Sequence, residues 1–139
     1  MRGKIAVLIV LICSILIGCT SKETISRHNY KFYGESKHWT ATLHFVGIGV
    51  NSNHYDEDKK DFVLEYKGSY TDISKSIVKY SIKSSGFSEG GSESPPGTKY
   101  IRHSDEGTGG AIQKKDDVIK VLVEWNGEKE VVPMKVTNH

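Results

Sequence analysis

Residues 118–136 have the sequence VIKVLVEWNGEKEVVPMKV, in which two strand-like segments flank Asn126-Gly127. Apolar and polar residues alternate in the first segment, and Asn-Gly is the dipeptide most typical of a two-residue type I′ turn. Such a turn sets the register, because successive side chains point to opposite faces of a strand. We therefore predict an antiparallel hairpin. Its predicted pairs are Trp125 with Glu128, Glu124 with Lys129, Val121 with Val132, and Ile119 with Met134.

The same alternation recurs in three segments nearer the amino terminus, residues 37–45, 61–68 and 77–83. Their predicted inward residues are Trp39, Ala41, Leu43 and Phe45 in the first, Phe62, Leu64 and Tyr66 in the second, and Val78, Tyr80 and Ile82 in the third. Each segment has one apolar and one polar face, as the strands of antiparallel sheets do. Residues 99–103 and 111–115 are shorter candidates. No segment has the period of an amphipathic helix.

These segments predict an all-β domain of about seven strands. The chain has 139 residues, of which 14 are Gly, and few Leu or Ala follow the first twenty positions. This composition favours strands and turns over helices. A two-sheet antiparallel sandwich of immunoglobulin-like type fits the pattern, and a small β-barrel is the alternative. Pro133 lacks an N–H and therefore predicts an edge strand or an outward-facing amide.

Residues Ser84 to Thr98 form the longest stretch without alternation. Its turn-forming residues are Gly86, Gly90, Gly91, Pro95, Pro96 and Gly97. Phe87 is its only large apolar residue, and we predict that this side chain anchors a long loop to the core. Long loops carry function more often than strands do. No Gly-x-x-x-x-Gly-Lys pattern is present, which argues against a phosphate-binding loop.

The first nineteen residues have the organisation of an export signal. Arg2 and Lys4 precede an apolar run over residues 5–17, and the run ends in Leu16-Ile17-Gly18-Cys19. A transmembrane helix needs about 20 apolar residues to cross a hydrocarbon core of about 30 Å, so this run is too short. Its length is typical of a signal peptide. The last four residues resemble the lipobox of bacterial lipoproteins.

The lipobox resemblance implies a membrane address and a lipid-attachment site. Signal peptidase would cut between Gly18 and Cys19, and the Cys19 thiol would carry diacylglycerol, with a palmitate-type chain on the new amino terminus. Two or more acyl chains hold a protein stably at a bilayer, whereas one binds marginally. We predict a signal peptide over residues 1–18, a lipidated tether over 19–36 and a domain over 37–139, on the extracytoplasmic face of the cell membrane. An uncleaved signal anchor, or a secretory signal with an incidental Cys19, is the alternative.

Processing would change both the thiol content and the charge of the chain. The two cysteines are Cys13, inside the signal, and Cys19, at the anchor, so no disulfide would remain in the exported domain. The full chain has 19 Lys+Arg and 17 Asp+Glu, and loss of Arg2 and Lys4 leaves 17 of each. A neutral domain without clustered basic residues does not predict a nucleic-acid partner.

Two motifs bracket most of the predicted domain. Gly34-Glu35-Ser36-Lys37-His38-Trp39 opens the first clear strand, and Trp125-Asn126-Gly127 closes the last hairpin. They resemble a group of small, largely uncharacterised membrane lipoproteins of Bacillus-type Firmicutes, in which Gly-Glu-Ser-x-x-Trp begins the domain. The resemblance implies a similar fold and address, and it implies no activity. Members often have Glu-Asn in place of Lys37-His38, a difference on the side predicted to be exposed.

The sequence offers no specific catalytic, cofactor or metal motif. His38 and His44 lie on one strand about 20 Å apart at ~3.3 Å per residue, too far to share a metal. The polar segment 51–60 lacks the spacing and the Gly of a calcium loop, and no Gly-x-Ser-x-Gly elbow is present. We predict no enzyme activity, but a non-catalytic module that binds a protein or an envelope component through residues 84–98 or an exposed sheet edge. An anchored enzyme, or enzyme subunit, acting on cell-wall polymer is the alternative.

Overall fold

The computed structural model describes residues 25–49, 55–111 and 113–137, which form eight β-strands and one turn of 3-10 helix at Tyr70–Asp72. The strands in chain order are β1 (Ser26–Glu35), β2 (Trp39–Gly49), β3 (Glu57–Tyr66), β4 (Val78–Lys83), β5 (Ser88–Glu93), β6 (Tyr100–Gly107), β7 (Ile119–Trp125) and β8 (Glu128–Val136). The predicted all-β class is confirmed.

The eight strands form a single antiparallel sheet in the order β5-β4-β7-β8-β1-β2-β3-β6. The sheet curls until its two edge strands approach each other. Across that gap Glu89 of β5 contacts Lys60 of β3 at 2.7 Å and His103 of β6 at 3.7 Å. The molecule is therefore a nearly closed barrel. The predicted two-sheet sandwich of about seven strands is wrong, and the small-barrel alternative fits the structure.

A short ladder of hydrogen bonds between β1 and β8 distinguishes the observed barrel from the predicted sandwich. It contains two residue pairs, Phe32 with Val136 and Tyr33 with Lys135. Without it, β5-β4-β7-β8 and β1-β2-β3-β6 would be separate sheets facing each other, which is a sandwich. The ladder ends two residues from Pro133, which has no N–H to donate. Consequently β8 is an interior strand, and the edge position suggested by Pro133 is wrong.

Side chains fill the interior of the barrel. The described residues include twenty buried apolar side chains, and all the predicted inward residues of β2, β3, β4 and the first hairpin strand are among them. At one end, which we call the tryptophan end, Trp39 packs against Tyr66 and Trp125 with ring centroids 5.0 and 5.4 Å away. At the other, which we call the tyrosine end, Tyr55 packs against Phe45 with centroids 5.1 Å apart.

Two strands lie in stretches that are predicted as the tether and as the long loop. β1 occupies residues 26–35 of the predicted tether and lies between β8 and β2, so the folded domain begins before residue 37. β5 occupies residues 88–93 of the predicted loop Ser84–Thr98 and is an edge strand. Phe87 does pack against the core, as predicted. The predicted tether is therefore too long, and the predicted loop is partly a strand.

β5 escaped prediction because its inward positions carry no large apolar side chain. In the register with β4, Glu89 lies opposite Ile82 and Gly91 lies opposite Tyr80. A side chain at position 91 would overlap the Tyr80 hydroxyl, so this close packing requires glycine. The first half of β3 is similar, since its buried residues are Asp58 and Lys60. Hydrophobic alternation does not detect strands of this kind.

The β7–β8 hairpin has the register predicted from its turn. The observed pairs are Trp125 with Glu128, Glu124 with Lys129, Val121 with Val132, and Ile119 with Met134. Asn126 and Gly127 have φ values of 47° and 78°, as a type I′ turn requires. The predicted signal peptide, with Gly18 and the lipid-attachment residue Cys19, lies outside the described residues. Within the described ranges, no helix is long and apolar enough to cross a membrane.

Candidate functional site

An open groove lies on the outer surface of β2, β3 and β6, near the tyrosine end. Its volume is about 530 Å³, and its lining residues are Val46, Ile48, Glu57, Asp58, Lys59, Glu106, Gly107 and Thr108. Val46 and Ile48 are half-buried and lie opposite Lys59 and Glu57 in the β2–β3 ladder. The groove therefore has two partly accessible aliphatic side chains beside charged ones.

Three of the charged residues that line the groove, Glu57, Lys59 and Glu106, are exposed, and the fourth, Asp58, is buried. Lys59 Nζ is 3.3 Å from Glu106 Oε1, and both side chains are exposed. Gly107 leaves the adjoining surface without a side chain. A Cβ at this position would lie 3.0 Å from Asp58 Oδ1. An apolar centre with an accessible charged rim is typical of protein-binding surfaces, whereas small-molecule sites enclose most of the ligand.

A buried charge cluster spans the gap between the edge strands. The Lys60 side chain is 8% exposed, and its ammonium group lies 5.0 Å from the centroid of the Phe87 ring. Its carboxylate partners are Glu89 at 2.7 Å, Asp58 at 3.0 Å and Asp105 at 3.2 Å. Burial favours a lower pKa for Lys60, but hydrogen bonds to these carboxylates outweigh it and raise the pKa well above its usual value. Lys60 is thus a permanent cation that joins three strands.

A second polar cluster lies at the tryptophan end and brings together the two motifs that bracket the chain. Ser36 Oγ donates to Glu130 Oε2 at 2.5 Å, and the backbone N–H of His38 donates to the same oxygen at 3.1 Å. The imidazole Nδ1 of His38 bonds the other oxygen, Oε1. His38 also packs against Trp125, with ring centroids 5.7 Å apart. The motif position predicted to be exposed is therefore a half-buried contact with the hairpin.

These contacts hold Glu130 as a carboxylate. Burial raises the pKa of Glu130, but hydrogen bonds from Ser36 and His38 outweigh it and hold the pKa below its usual value. Serine, histidine and a carboxylate are also the components of a hydrolytic triad. Here the serine hydroxyl bonds the carboxylate and not the imidazole, so the base does not activate the hydroxyl. The cluster instead fixes the β1–β2 turn against β8.

The other residues singled out in the sequence have separate surroundings. His44 Nε2 bonds Asn29 Oδ1 at 2.8 Å, and Asp117 accepts a hydrogen bond of 2.9 Å from Gln113 Nε2. Asp105 belongs to the Lys60 cluster, and Glu106 belongs to the groove. Among the described residues, no group of three or more His, Cys, Asp or Glu is placed to bind a metal ion.

Comparisons of the chain with protein-family models, with curated proteins and with solved structures found no match. The resemblance to lipoproteins of Bacillus-type Firmicutes therefore stays a prediction that rests on its two quoted motifs and the lipobox.

The sequence does not predict either polar cluster or the groove. Lys60 lies in the polar segment 51–60, which has no apolar alternation, and Glu130 is separated from its partner Ser36 by 94 positions. The motifs themselves gave the one available signal, because Trp39 and Trp125 both point inward from strand ends. Nothing local in the sequence indicates which outward residues of β2, β3 and β6 become neighbours.

Proposed function

We propose that this chain is a lipid-anchored, extracytoplasmic, non-catalytic module that binds a protein partner through the groove on β2, β3 and β6. One observation carries the proposal: the barrel is filled by its own side chains, while an open groove of about 530 Å³ lies on its outer surface. Small eight-stranded barrels often have no internal room for a ligand. Binding at the outer surface is the arrangement that remains.

The chemistry of the groove favours a protein segment as its ligand. Val46 and Ile48 provide an apolar contact, and Lys59 and Glu106 provide a paired positive and negative charge at the rim. A segment with an aliphatic side chain flanked by charged ones would bury its apolar part and exchange ion pairs with the rim. A uniformly charged wall polymer would meet charges of both signs. The lipobox at Leu16-Ile17-Gly18-Cys19 supports the membrane address.

Groove variants test the binding proposal in a cross-linking capture from membranes. Ile48→Lys places a charge in the groove centre, and Val131→Lys makes the same kind of change on β8, where Val131 is 51% exposed. We expect partners captured by the wild type and by Val131→Lys to be lost with Ile48→Lys. Deletion of Ser84–Thr98 is unsuitable, because it removes β5 and the Glu89 partner of Lys60.

Equal capture by both variants would place the binding surface elsewhere. Turnover of cell-wall polymer by the purified chain would favour the alternative of an anchored enzyme.

The anchor has a separate test. Metabolic labelling with a radioactive fatty acid should mark the wild-type chain and leave Cys19→Ala unmarked. Equal labelling of the two, or none of either, would remove the lipid anchor from the proposal.

A further inference from the structure

We infer that Lys83, Lys120 and Lys135, which we call the basic face, dock the barrel on an anionic phospholipid surface. The inference rests on the proposed anchor at Cys19 and adds the orientation of the barrel on the membrane. All three lysines are exposed and lie at the tyrosine-end termini of β4, β7 and β8, which are neighbours in the sheet. The sequence alone shows no basic cluster here, because the three lysines are separated by 37 and 15 positions.

The register shows how closely the lysines approach. Lys83 lies directly opposite Lys120 in the β4–β7 ladder, and Lys120 lies opposite Pro133 in the β7–β8 ladder. Lys135 is two residues further along the same face of β8. Like charges directly opposite each other destabilise a sheet. Binding of an external anion beside these lysines would reduce the repulsion between them.

Counter-charges within the protein do not neutralise this face. The accessible carboxylates of β4, β7 and β8 lie towards the tryptophan end: Glu124 pairs with Lys129 at 3.1 Å, and Glu128 begins β8 opposite Trp125. Asp117, in the connection before β7, is bonded to Gln113 and Ser85. Within the described residues, none of the three lysines has a carboxylate within ion-pair distance.

The length of the tether and the exposed side chain of Tyr33 both favour a membrane as the surface that the basic face contacts. Ser26 follows Cys19 by seven positions, and a chain of that length spans at most about 25 Å. The basic face adjoins the strand that this tether enters, because Lys135 pairs with Tyr33 of β1. Tyr33 is 42% exposed, and tyrosine beside lysine is typical of the headgroup region. With β1 lying along the bilayer, the tether is long enough for the lysines to reach phosphates.

The same orientation leaves the groove free. In the strand order, β4, β7 and β8 lie on the side of the barrel opposite to β2, β3 and β6. The acidic groups of the groove, Glu57 and Glu106, therefore face away from the lipid. Docking through the basic face would present the proposed protein-binding surface to the exterior.

Lysine footprinting on vesicles tests the inference. The lipidated full chain is placed in vesicles of phosphatidylcholine alone or with 30 mol% phosphatidylglycerol, and lysine acetylation is followed by mass spectrometry. Each lysine near an anionic surface contributes a factor of roughly five to the surface equilibrium. We expect Lys83, Lys120 and Lys135 to be acetylated at least threefold more slowly on the anionic vesicles. Lys79, on the same face of β4, should be unchanged, and salt at about 0.5 M should abolish the protection.

Charge-reversal variants complete the test. The orientation of the barrel on the membrane is measured by cross-linking a probe at Tyr33→Cys to the lipid headgroups. K83E/K120E/K135E should lose this cross-linking. K37E/K75E/K79E makes the same change in charge and should keep it. Flotation with the vesicles reports the anchor separately: a chain that does not float refutes the anchor, and one that floats with unprotected lysines refutes the basic face. Soluble poly(glycerol phosphate) or DNA is tested at the same phosphate concentration as the vesicles. If either protects the three lysines from acetylation more strongly than the anionic vesicles do, the assignment to lipid is overturned.

Discussion

Lys60 is a charged residue with a buried side chain, which is unusual for lysine. Its ammonium group lies among three carboxylates that come from β3, β5 and β6. Removing one member of a buried ionic cluster costs more than the cluster contributes, because the remaining charges are left without compensation. The cluster is therefore a sensitive point for stability.

We predict that Lys60→Met lowers the free energy of unfolding by about 3–5 kcal/mol at pH 7, measured by denaturant titration of the full chain. In the wild type the pKa of Lys60 is higher in the folded than in the unfolded chain, so its charge stabilises the fold. This stabilisation is complete below the unfolded pKa of 10.5 and declines as the pH rises through the folded pKa. The control, Lys59→Met, removes an exposed pair with Glu106 and should cost at most about 1 kcal/mol. Similar losses in both variants would contradict the burial of Lys60.

Glu130 gives a prediction of opposite sign in pH. Its folded pKa is lowered, so its stabilising effect is present above the unfolded value near 4.5 and is lost as the pH falls through the folded value. Glu130→Gln should cost about 1.5–3 kcal/mol at pH 7, because hydrogen bonds to a charged acceptor are replaced. The difference from the wild type should disappear as the pH falls below that folded value. Glu124→Gln, which alters an exposed pair, is the control, and an equal pH response in both would refute this account.

At the scale of elements, the junction of β1 and β8 holds the two halves of the sheet together. Gly34 lies where the β8 backbone passes closest to β1. A Cβ at this position would overlap the carbonyl oxygen of Pro133 and lie 2.9 Å from the Cα of Met134. Backbone cannot move aside as a flexible side chain can, so the glycine is required for the two strands to meet.

We predict that Gly34→Ala destabilises the protein by about 3 kcal/mol or prevents folding, since overpacking usually costs about 1–3 kcal/mol even where side chains can adjust. Gly97→Ala is the matched control, because no atom lies within 4 Å of its added Cβ. That variant should stay within about 0.5 kcal/mol of the wild type. Thermal unfolding followed by circular dichroism measures both. A tolerated Gly34→Ala would mean that β1 and β8 are further apart than described.

The elements also show where prediction from sequence succeeds. β4 and β7 have apolar residues at every inward position, and β2 has them from Trp39 to Phe45, so alternation identified these inward faces correctly. The β7–β8 register followed from a two-residue turn. β5 and the start of β3 have inward Glu89, Gly91, Asp58 and Lys60, whose burial depends on partners from distant strands.

For the whole molecule, the gap between β5 and β6 is the place where closure of the barrel is weakest. Each edge strand has backbone partners on one side, β4 for β5 and β3 for β6. Side chains, through Lys60, Glu89 and His103, bridge the remaining gap. Opening the barrel there breaks ion pairs without breaking a ladder of backbone hydrogen bonds.

We predict that β5 amides exchange hydrogen faster than those of β7, β8, β1 and β2, measured by mass spectrometry under native conditions. Glu89→Gln should accelerate exchange in β5 further, by weakening the contact with Lys60, while Glu93→Gln on the same strand should not. Protection of β5 equal to that of β7 would indicate that the edge strands are joined by backbone hydrogen bonds. The same experiment reports whether a partner in the groove protects β6.

The amino-acid sequence by itself determined the all-β class, most of the inward faces and the register of the last hairpin, because these depend on neighbours a few positions apart. It also supplied the lipobox prediction, which does not depend on the fold. Only the tertiary structure decided between sandwich and barrel, because the same alternation serves both and the choice depends on two residue pairs between β1 and β8. The Lys60 cluster, the contact of Ser36 and His38 with Glu130, and the basic face likewise required the structure. Each joins residues far apart in the chain, and the free energy that brings them together comes from packing of the whole barrel.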